Sequence, residues 1–372
     1  MRIAISTLVG YFNYGNRLQN YALQKVIENM GHSVITIRDF TDKTSEISLE
    51  KKVLISVKNG DFFEKVLNKI RSKKNKENNQ KREENFRRFT ERYIHESEFI
   101  LNEKTKDYDF DDFIDTYVIG SDQVWNYTFD SFSEASFVLY SKKPKISYAA
   151  SFGVTEVPQQ LLGFYKKGLE QVDYISVREN AGQRLVQEMT NQDSVVVVDP
   201  TLLLDKQDWL DIGDTGKIYR KEYLLTYFLG EKDQNQKDYI IQYAADNNYV
   251  IKELADMNDK DNWTADPSEF INLFSQAEAV FTDSFHASVF SIIFEKYFEV
   301  FERKSAGPSM NSRLDTLLKD LNLEDRWHRD EMICSNINYK QVNEILAVRK
   351  QESRRFLEEA LNNIERGTKE DE

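Results

Sequence analysis

The sequence predicts an α/β protein built from two successive parallel sheets that face each other across a crevice. Three observations carry this. Strand-like and helix-like segments alternate along the chain, as in parallel sheets joined by crossover helices. The run Val195-Val196-Val197-Val198 is continuous, β-branched and stopped by Asp199-Pro200, as expected of a strand buried on both faces. The length of 372 residues exceeds what one compact core usually holds, so two domains are expected.

In the first half, Arg2 to Leu8 reads as a strand and Leu18 to Met30 as a helix, with Leu18, Tyr21, Ala22, Val26 and Ile27 near helical spacing. Gly31 ends that helix, and Val34 to Ile37 is the next strand. Thr116 to Ile119, Lys145 to Ala150 and Asp173 to Val177 follow as strands, the first of them stopped by Gly120. In the second half, Tyr223 to Leu229 and Val250 to Leu254 read as strands around a helix at Gln236 to Asp246. Asp266-Pro267-Ser268-Glu269 starts a helix well: an Asp cap, Pro in the first turn and Glu three residues after the cap. That helix runs to about Ala277. Val280 to Thr282 is a strand, His286 to Phe294 a helix and Phe298 to Phe301 a strand. Ser312 to Leu321 and Tyr339 to Ile364 look helical. These elements place an N-terminal domain at 1–205, a C-terminal domain at 206–335, and a final helix with a polar tail at 336–372.

A basic helical insertion is expected at about 43–107. Lys51 to Arg92 carries 14 Lys and Arg against 6 Asp and Glu, in a chain whose net charge is −13. Leu54, Val57, Phe62, Phe63, Val66, Leu67 and Ile70 give it an apolar face. A solvated insertion accounts for this pattern. Contact with anionic lipid headgroups, or with a pyrophosphate-linked acceptor, is the sharper reading.

The acidic balance argues against nucleic acid as the main partner. One cysteine, Cys334, excludes an internal disulfide and a Cys-cluster zinc site, and a free thiol suits a reducing cytosol. No run approaches the ~20 apolar residues of a membrane helix. The first strand leaves no room for a signal peptide at the N-terminus, so a cytoplasmic location is expected.

Candidate chemistry gathers where strands end. Ala279-Val280-Phe281-Thr282-Asp283-Ser284-Phe285-His286 is a strand, a tight turn and a helix start. It puts one of only four histidines at the edge where open α/β sheets hold ligands. Burial and the helix dipole should lower the pKa of His286, and a substrate anion should raise it again, as a general acid near neutral pH requires. A satisfied structural histidine fits the same local pattern. Asp283 can orient the ring, act as a base or cap the helix, and Ser284 can cap it too. Gly10-Tyr11-Phe12-Asn13-Tyr14-Gly15-Asn16-Arg17 is a glycine-containing turn before a helix, without the dinucleotide spacing. Asn13 or Asn16 can cap that helix, whose N-terminus can hold an anion, and Arg17 offers a bidentate fork. Gly120-Ser121-Asp122-Gln123-Val124-Trp125-Asn126 offers polar groups for a hydroxyl-rich ligand, with Trp125 able to stack on a sugar or fill a core. Arg178 follows a buried strand, where it needs an anion: Glu179, a domain-closing carboxylate or a bound phosphate. Arg313 sits in a first helical turn, where the dipole disfavours a cation and an anionic partner is expected, whether a ligand, Asp315 or Glu302. No metal-binding, Walker A or nucleophile-elbow pattern occurs, so neither metal nor cofactor is expected.

Seven segments in this order resemble the polysaccharide pyruvyl transferase family over residues 1 to about 325, apart from much of the basic insertion. They are Asn13 to Gln24, Gly120 to Asn126, Lys145 to Gly153, Ser176 to Glu179, Asp199 to Thr201, Thr282 to His286 and Ser312 to Leu314. The resemblance implies two Rossmann-like domains, similar to the two-domain (GT-B-like) glycosyltransferase fold. It implies transfer of a pyruvyl group from phosphoenolpyruvate to a sugar or lipid-linked oligosaccharide during surface polysaccharide assembly, closing a cyclic ketal across two hydroxyls. His286 and Arg178 match family positions: His286 would protonate the donor and Arg178 would bind its anionic groups. Arg17 and Arg313 are added on chemical grounds, with Asn13, Gly15, Asn16, Ser121, Asp122, Gln123, Trp125 and Ser284 lining the substrate and Asp283 assisting catalysis. One position departs from the pattern: many members carry an arginine two residues before the histidine, where this chain has Ser284. Either Arg17 or Arg313 takes its place, or the donor differs. Two further readings stand beside this one: a metal-independent glycosyltransferase using a nucleotide sugar, and a non-catalytic sugar-binding protein of the same pathway.

Overall fold

The computed structural model describes residues 1–39, 76–101, 109–213, 215–254, 256–257, 259–303, 311–329 and 336–370. The first sheet has seven strands: β1 (Arg2–Ser6), β2 (Ser33–Asp39), β3 (Glu96–Leu101), β4 (Thr116–Ile119), β5 (Lys145–Ala150), β6 (Tyr174–Val177) and β7 (Val195–Val196). Their spatial order is β3-β2-β1-β4-β5-β6-β7. The second has β8 (Tyr223–Tyr227), β9 (Val250–Glu253), β10 (Ala279–Thr282) and β11 (Tyr297–Val300), in the order β11-β10-β8-β9. All pairings are parallel, as the alternating pattern predicts. Strand order reverses between β1 and β4, and again between β8 and β10. Loops diverge beyond the C-terminal strand ends at such switch points, and ligands bind there.

The helices are α1 (Tyr14–Asn29), α2 (Lys76–Tyr93), α3 (Leu162–Leu169), α4 (Asn180–Thr190), α5 (Pro200–Leu203), α6 (Lys206–Gly213), α7 (Gln234–Asp246), α8 (Lys260–Trp263), α9 (Pro267–Gln276), α10 (Phe285–Ile293), α11 (Ser312–Asp320) and α12 (Tyr339–Glu370). Asp266 caps α9 by accepting the Glu269 N–H. The Glu269 carboxylate, expected to return to the cap, instead accepts from the Tyr219 hydroxyl and pairs with Lys217.

One apolar core joins the two halves. Ile3 and Ile5 of β1 enter it from one side, and Leu225, Val280, Phe270 and Phe290 from the other. Ala4 points to a second cluster on the opposite face of the first sheet, as strand alternation requires. Helix α1 lies in the shared core and is buried around most of its circumference. Its first residue, Tyr14, stacks on Phe270 at 4.7 Å and meets Tyr227 edge-on at 5.8 Å.

Three details differ from the sequence expectation. Val195 to Val198 is not a strand buried on both faces. Its ladder covers Val195–Val196 at the sheet edge, Val195 is 46% exposed, and the Val198 N–H bonds Ser353 of α12. Strand β3, inside the expected insertion, is the opposite edge strand, paired with β2. Helix α2 is docked rather than solvated on all sides. Its buried Arg82 donates to the Tyr14 hydroxyl and to the carbonyls of Trp263 and Phe12, and lies 4.6–4.9 Å from the rings of Tyr14, Phe86 and Trp263. Asn85 adds a bond to the Thr264 carbonyl, so α2 ties the first half to the second. The rest of the basic segment, residues 51–75, lies outside the described residues, as do Cys334 and Gly307 to Met310. Among the described residues, no helix is long and apolar enough to cross a membrane.

Candidate active site

Loops after β4, β6, β7 and β10, with the first turns of α1 and α11, bring polar residues together where the halves meet. From the first half, Gly120 turns the chain out of β4 with φ +116°, and Asp122 adopts φ +67°, a conformation Asp tolerates better than most residues. This aims Asp122 Oδ1 at Arg178 Nη2, 3.2 Å away. Arg178, one residue past β6, also donates through Nη1 to Asp199 Oδ2 at 2.7 Å. Asp199 caps α5 and is held on all sides. Oδ1 accepts from the Thr201 N–H and hydroxyl, and Oδ2 from Ser121 Oγ at 3.0 Å. Ser121 also bonds Ala149 O, and its N–H is taken by Gln19.

From the second half, α10 presents Phe285 and His286. The Arg178 guanidinium sits 4.5 Å from the Phe285 ring centre, and that of Arg313 5.9 Å from it. His286 Nε2 is buried without a hydrogen-bond partner among the described residues and lies 3.8 Å from Asp199 Oδ2. Gly15, in the first turn of α1, lies against the same ring: a Cβ placed on it would fall 2.0 Å from Nδ1. Asn13 caps α1 through the Asn16 N–H.

The electrostatics follow from burial. It pushes the His286 imidazole below its ordinary pKa; Asp199 and Asp122 oppose this, while Arg178 and Arg313 add to it. Burial alone would raise Asp199, but the charges of His286 and Arg178 and the Thr201 hydroxyl hold it below the usual carboxylate range. Burial raises Glu179 against the pull of Arg178 and Arg313. Arg313 is buried, and desolvation together with Arg178 brings its pKa down to about 10. Among the described residues it has no carboxylate within ion-pairing distance, and its Nε is unpartnered. Buried polar groups without partners are uncommon, and His286 Nε2, Arg178 Nε, Arg313 Nε and Glu179 Oε2 all belong to this region. A cavity of about 20 Å³ adjoins Arg178, Asp199, Phe285 and Arg313. A larger open groove of about 800 Å³, lined by Thr155, Lys166, Arg184 and Glu188, contains none of these residues; the smaller cavity has room for about one water, so the candidate site is marked by its buried, unpartnered polar groups and not by cavity volume.

The structure thus brings together His286, Arg178, Arg313, Gly15, Ser121 and Asp122. Other expectations require correction. Arg17 is not available to an anion here: its guanidinium donates to Glu96 at 2.8 Å, to the Leu8 carbonyl and to Asn16 Oδ1. Asn16 is occupied by that same contact. Trp125 is fully buried, stacks on Phe137 at 5.5 Å and donates to Ser136 O, so it is a core residue and not a sugar platform. Asp283 faces away from the ring-orienting role: its carboxylate accepts the Leu229 and Gly230 N–H groups and pairs with Arg303 at 3.0 Å. Ser284 is buried and makes no side-chain cap; its N–H bonds Thr282 Oγ1. Gln123 is half-buried and accepts from Asn126. Sequence reasoning gave no role to Asp199 or Arg303, although both follow a strand's C-terminal end, the signal that located His286.

Comparison with curated proteins finds no match. Among solved structures, the chain is similar to UDP-GlcNAc 2-epimerase from Neisseria meningitidis bound to UDP-GlcNAc, with TM-score 0.50, 10% identity, and coverage of 98% of this chain and 100% of that one. It is also similar to UDP-N-acetylglucosamine 2-epimerase from Rickettsia bellii, with TM-score 0.45, 10% identity and 98% coverage of both chains. At this identity the likeness speaks for the fold alone, two Rossmann-like domains in a GT-B-like arrangement. Comparison with protein families matches polysaccharide pyruvyl transferase over residues 13–305, a span that holds His286, Arg178 and Asp199. The chain belongs to the polysaccharide pyruvyl transferase family.

Proposed function

We propose that the protein transfers a pyruvyl group from phosphoenolpyruvate to a sugar, closing a cyclic ketal across two hydroxyls and releasing phosphate. The family supports a pyruvyl transfer role in polysaccharide biosynthesis. The observation that carries the donor is Arg313, a buried cation beside His286 with no carboxylate partner among the described residues. Arg178 is already matched by Asp199 and Asp122. A buried unpaired cation is costly, and a donor bearing phosphate and carboxylate would relieve that cost.

In this reading His286 gives a proton to the donor's methylene carbon, which becomes a methyl group as C2 becomes electrophilic. One sugar hydroxyl adds to C2 and loses its proton. The second hydroxyl then takes the place of phosphate at C2 and loses its proton, as phosphate leaves with the bridging oxygen and the electron pair of its bond to C2; of the two protons the hydroxyls release, one restores His286 and the other goes to phosphate or solvent. Arg313, with Arg178 behind it, would steady the negative charge on the donor. The acceptor we favour is a lipid-linked or nucleotide-linked sugar. With a lipid-linked acceptor the reaction would run at the cytoplasmic face of the membrane, where the basic segment could meet anionic headgroups.

Thermal shift tests the donor. At 100 times its dissociation constant, phosphoenolpyruvate should stabilise the protein by about 2.7 kcal/mol. Arg313→Ala should lose that shift. A shift with a nucleotide sugar and none with phosphoenolpyruvate would replace this reading with a glycosyltransferase.

A further inference from the structure

Asp199 and His286 reach each other from opposite halves of the molecule. Asp199 follows β7 in the first half, and His286 lies in the first turn of α10 in the second. Their closest atoms, Asp199 Oδ2 and His286 Nε2, are 3.8 Å apart, too far for a hydrogen bond between them. The carboxylate is immobilised by Thr201, Ser121 and Arg178. The imidazole has Gly15 against its Nδ1 side. Closing that gap to hydrogen-bond distance takes a shift of about 1 Å, and the carboxylate is the partner already held in place. The charged groups that act on His286 are Asp199 and Asp122, which favour a proton, and Arg178 and Arg313, which oppose it. An anion bound at Arg313 would remove part of that opposition, leaving the carboxylates to dominate.

We propose that Asp199 is a positioning residue that acts through His286, its carboxylate receiving the Nε2–H of the imidazolium when an anionic donor occupies the Arg313 side. The general acid is then charged only when both halves and the donor are in place. Free enzyme keeps a neutral imidazole and cannot protonate the donor's methylene carbon out of turn. The inference rests on the reading of His286 as proton donor, but its test does not need turnover.

The test is an NMR titration of protein carrying ¹⁵N-labelled histidine. There are four histidines, and His286→Gln assigns the signal. It is run with phosphoenolpyruvate and, separately, with sulfate, an anion that does not titrate in this range. With either anion, Asp199→Asn should lower the His286 midpoint by about one pH unit or more. Ser121→Ala and Thr201→Val remove other hydrogen bonds to the same carboxylate but keep its charge, and should leave the midpoint nearly unchanged. Equal midpoints in wild type and Asp199→Asn would overturn the proposal. Wild type alone gives a second reading: with anion bound below the midpoint, the Nε2 proton should be exchange-protected and shifted downfield, and a rapidly exchanging proton would overturn the proposal even if Asp199→Asn does not fold. Failure of phosphoenolpyruvate to act as a donor, with the sulfate result intact, would remove the pyruvyl-transfer reading and leave the Asp199–His286 pair standing.

Discussion

Gly15 supports the imidazole of His286 from across the junction of the two halves: a Cβ on Gly15 would lie 2.0 Å from Nδ1 and 2.4 Å from Cγ. Both distances are shorter than real Cβ contacts, so a side chain at position 15 must displace the ring or part the two halves. Gly15→Ala should therefore reduce kcat by about 100-fold, the usual consequence of moving a reacting group by about 1 Å. Alanine favours the helix by about 1 kcal/mol over glycine, so any loss of melting temperature must come from the junction and not from α1 itself. Steady-state kinetics and a thermal melt on one preparation separate the two effects.

Arg313 should trade stability for binding. Arg313→Met removes a desolvated charge without an ionic partner among the described residues, and its chain fills similar apolar space. The ligand-free variant should melt at or above the wild-type temperature. Its affinity for phosphoenolpyruvate should fall at least tenfold, since a hydrogen bond to a charged group is worth about 1.5–3 kcal/mol. Melts with and without the donor check both halves of this expectation.

Arg82→Ala should loosen the tie between the halves. The side chain holds Tyr14, Phe12 and Trp263 at once, in a buried setting of three aromatic rings. A loss of about 3 kcal/mol follows from the unsatisfied carbonyls and the lost cation–π contacts. Small-angle scattering and limited proteolysis near residue 263 should report a more open, more easily cut protein.

Acid should destabilise the wild type through His286. Burial sets its folded pKa below the ordinary value of 6.5, so the unfolded chain binds the proton more readily. The contribution of the neutral ring is complete above about 6.5 and is lost as the pH falls below it. His286→Gln has no proton to take up, and its melting temperature should change less between pH 7 and pH 5. Parallel slopes for the two proteins would place the acid sensitivity elsewhere.

Much of the frame was legible. Strands β8 and β10 stand at apolar stretches, and the turn at Asp283-Ser284 before α10 stands where the pattern puts it; β9, half of it Lys252-Glu253, follows from the alternation of strands and helices. The Val195 run lies at the sheet's edge rather than its interior; a β-branched run looks the same in both places. Local sequence carries burial preference but not strand order. Trp125 went the same way: a tryptophan beside a polar loop satisfies both a sugar site and a core, and here Phe137 and Phe152 decide for the core.

Arg17 and Arg313 show where the sequence stops. Each lies in the first turn of a helix, each follows an asparagine-containing turn, and each is buried. By sequence alone they were equal candidates for an anion. Local pattern alone sets the α/β alternation, the position of His286 and Arg178 just beyond strand ends, and the family to which those segments belong. Tertiary structure alone decided that β3 brings Glu96 to Arg17, that Asp199 reaches Arg178 and His286, and that Arg313 faces the site without a carboxylate of its own among the described residues. The physical reason is range. Helix and strand signals act over a few neighbouring residues, whereas a buried charge is matched by whichever chain segment the sheet order and the closure of the two halves carry to within about 4 Å of it.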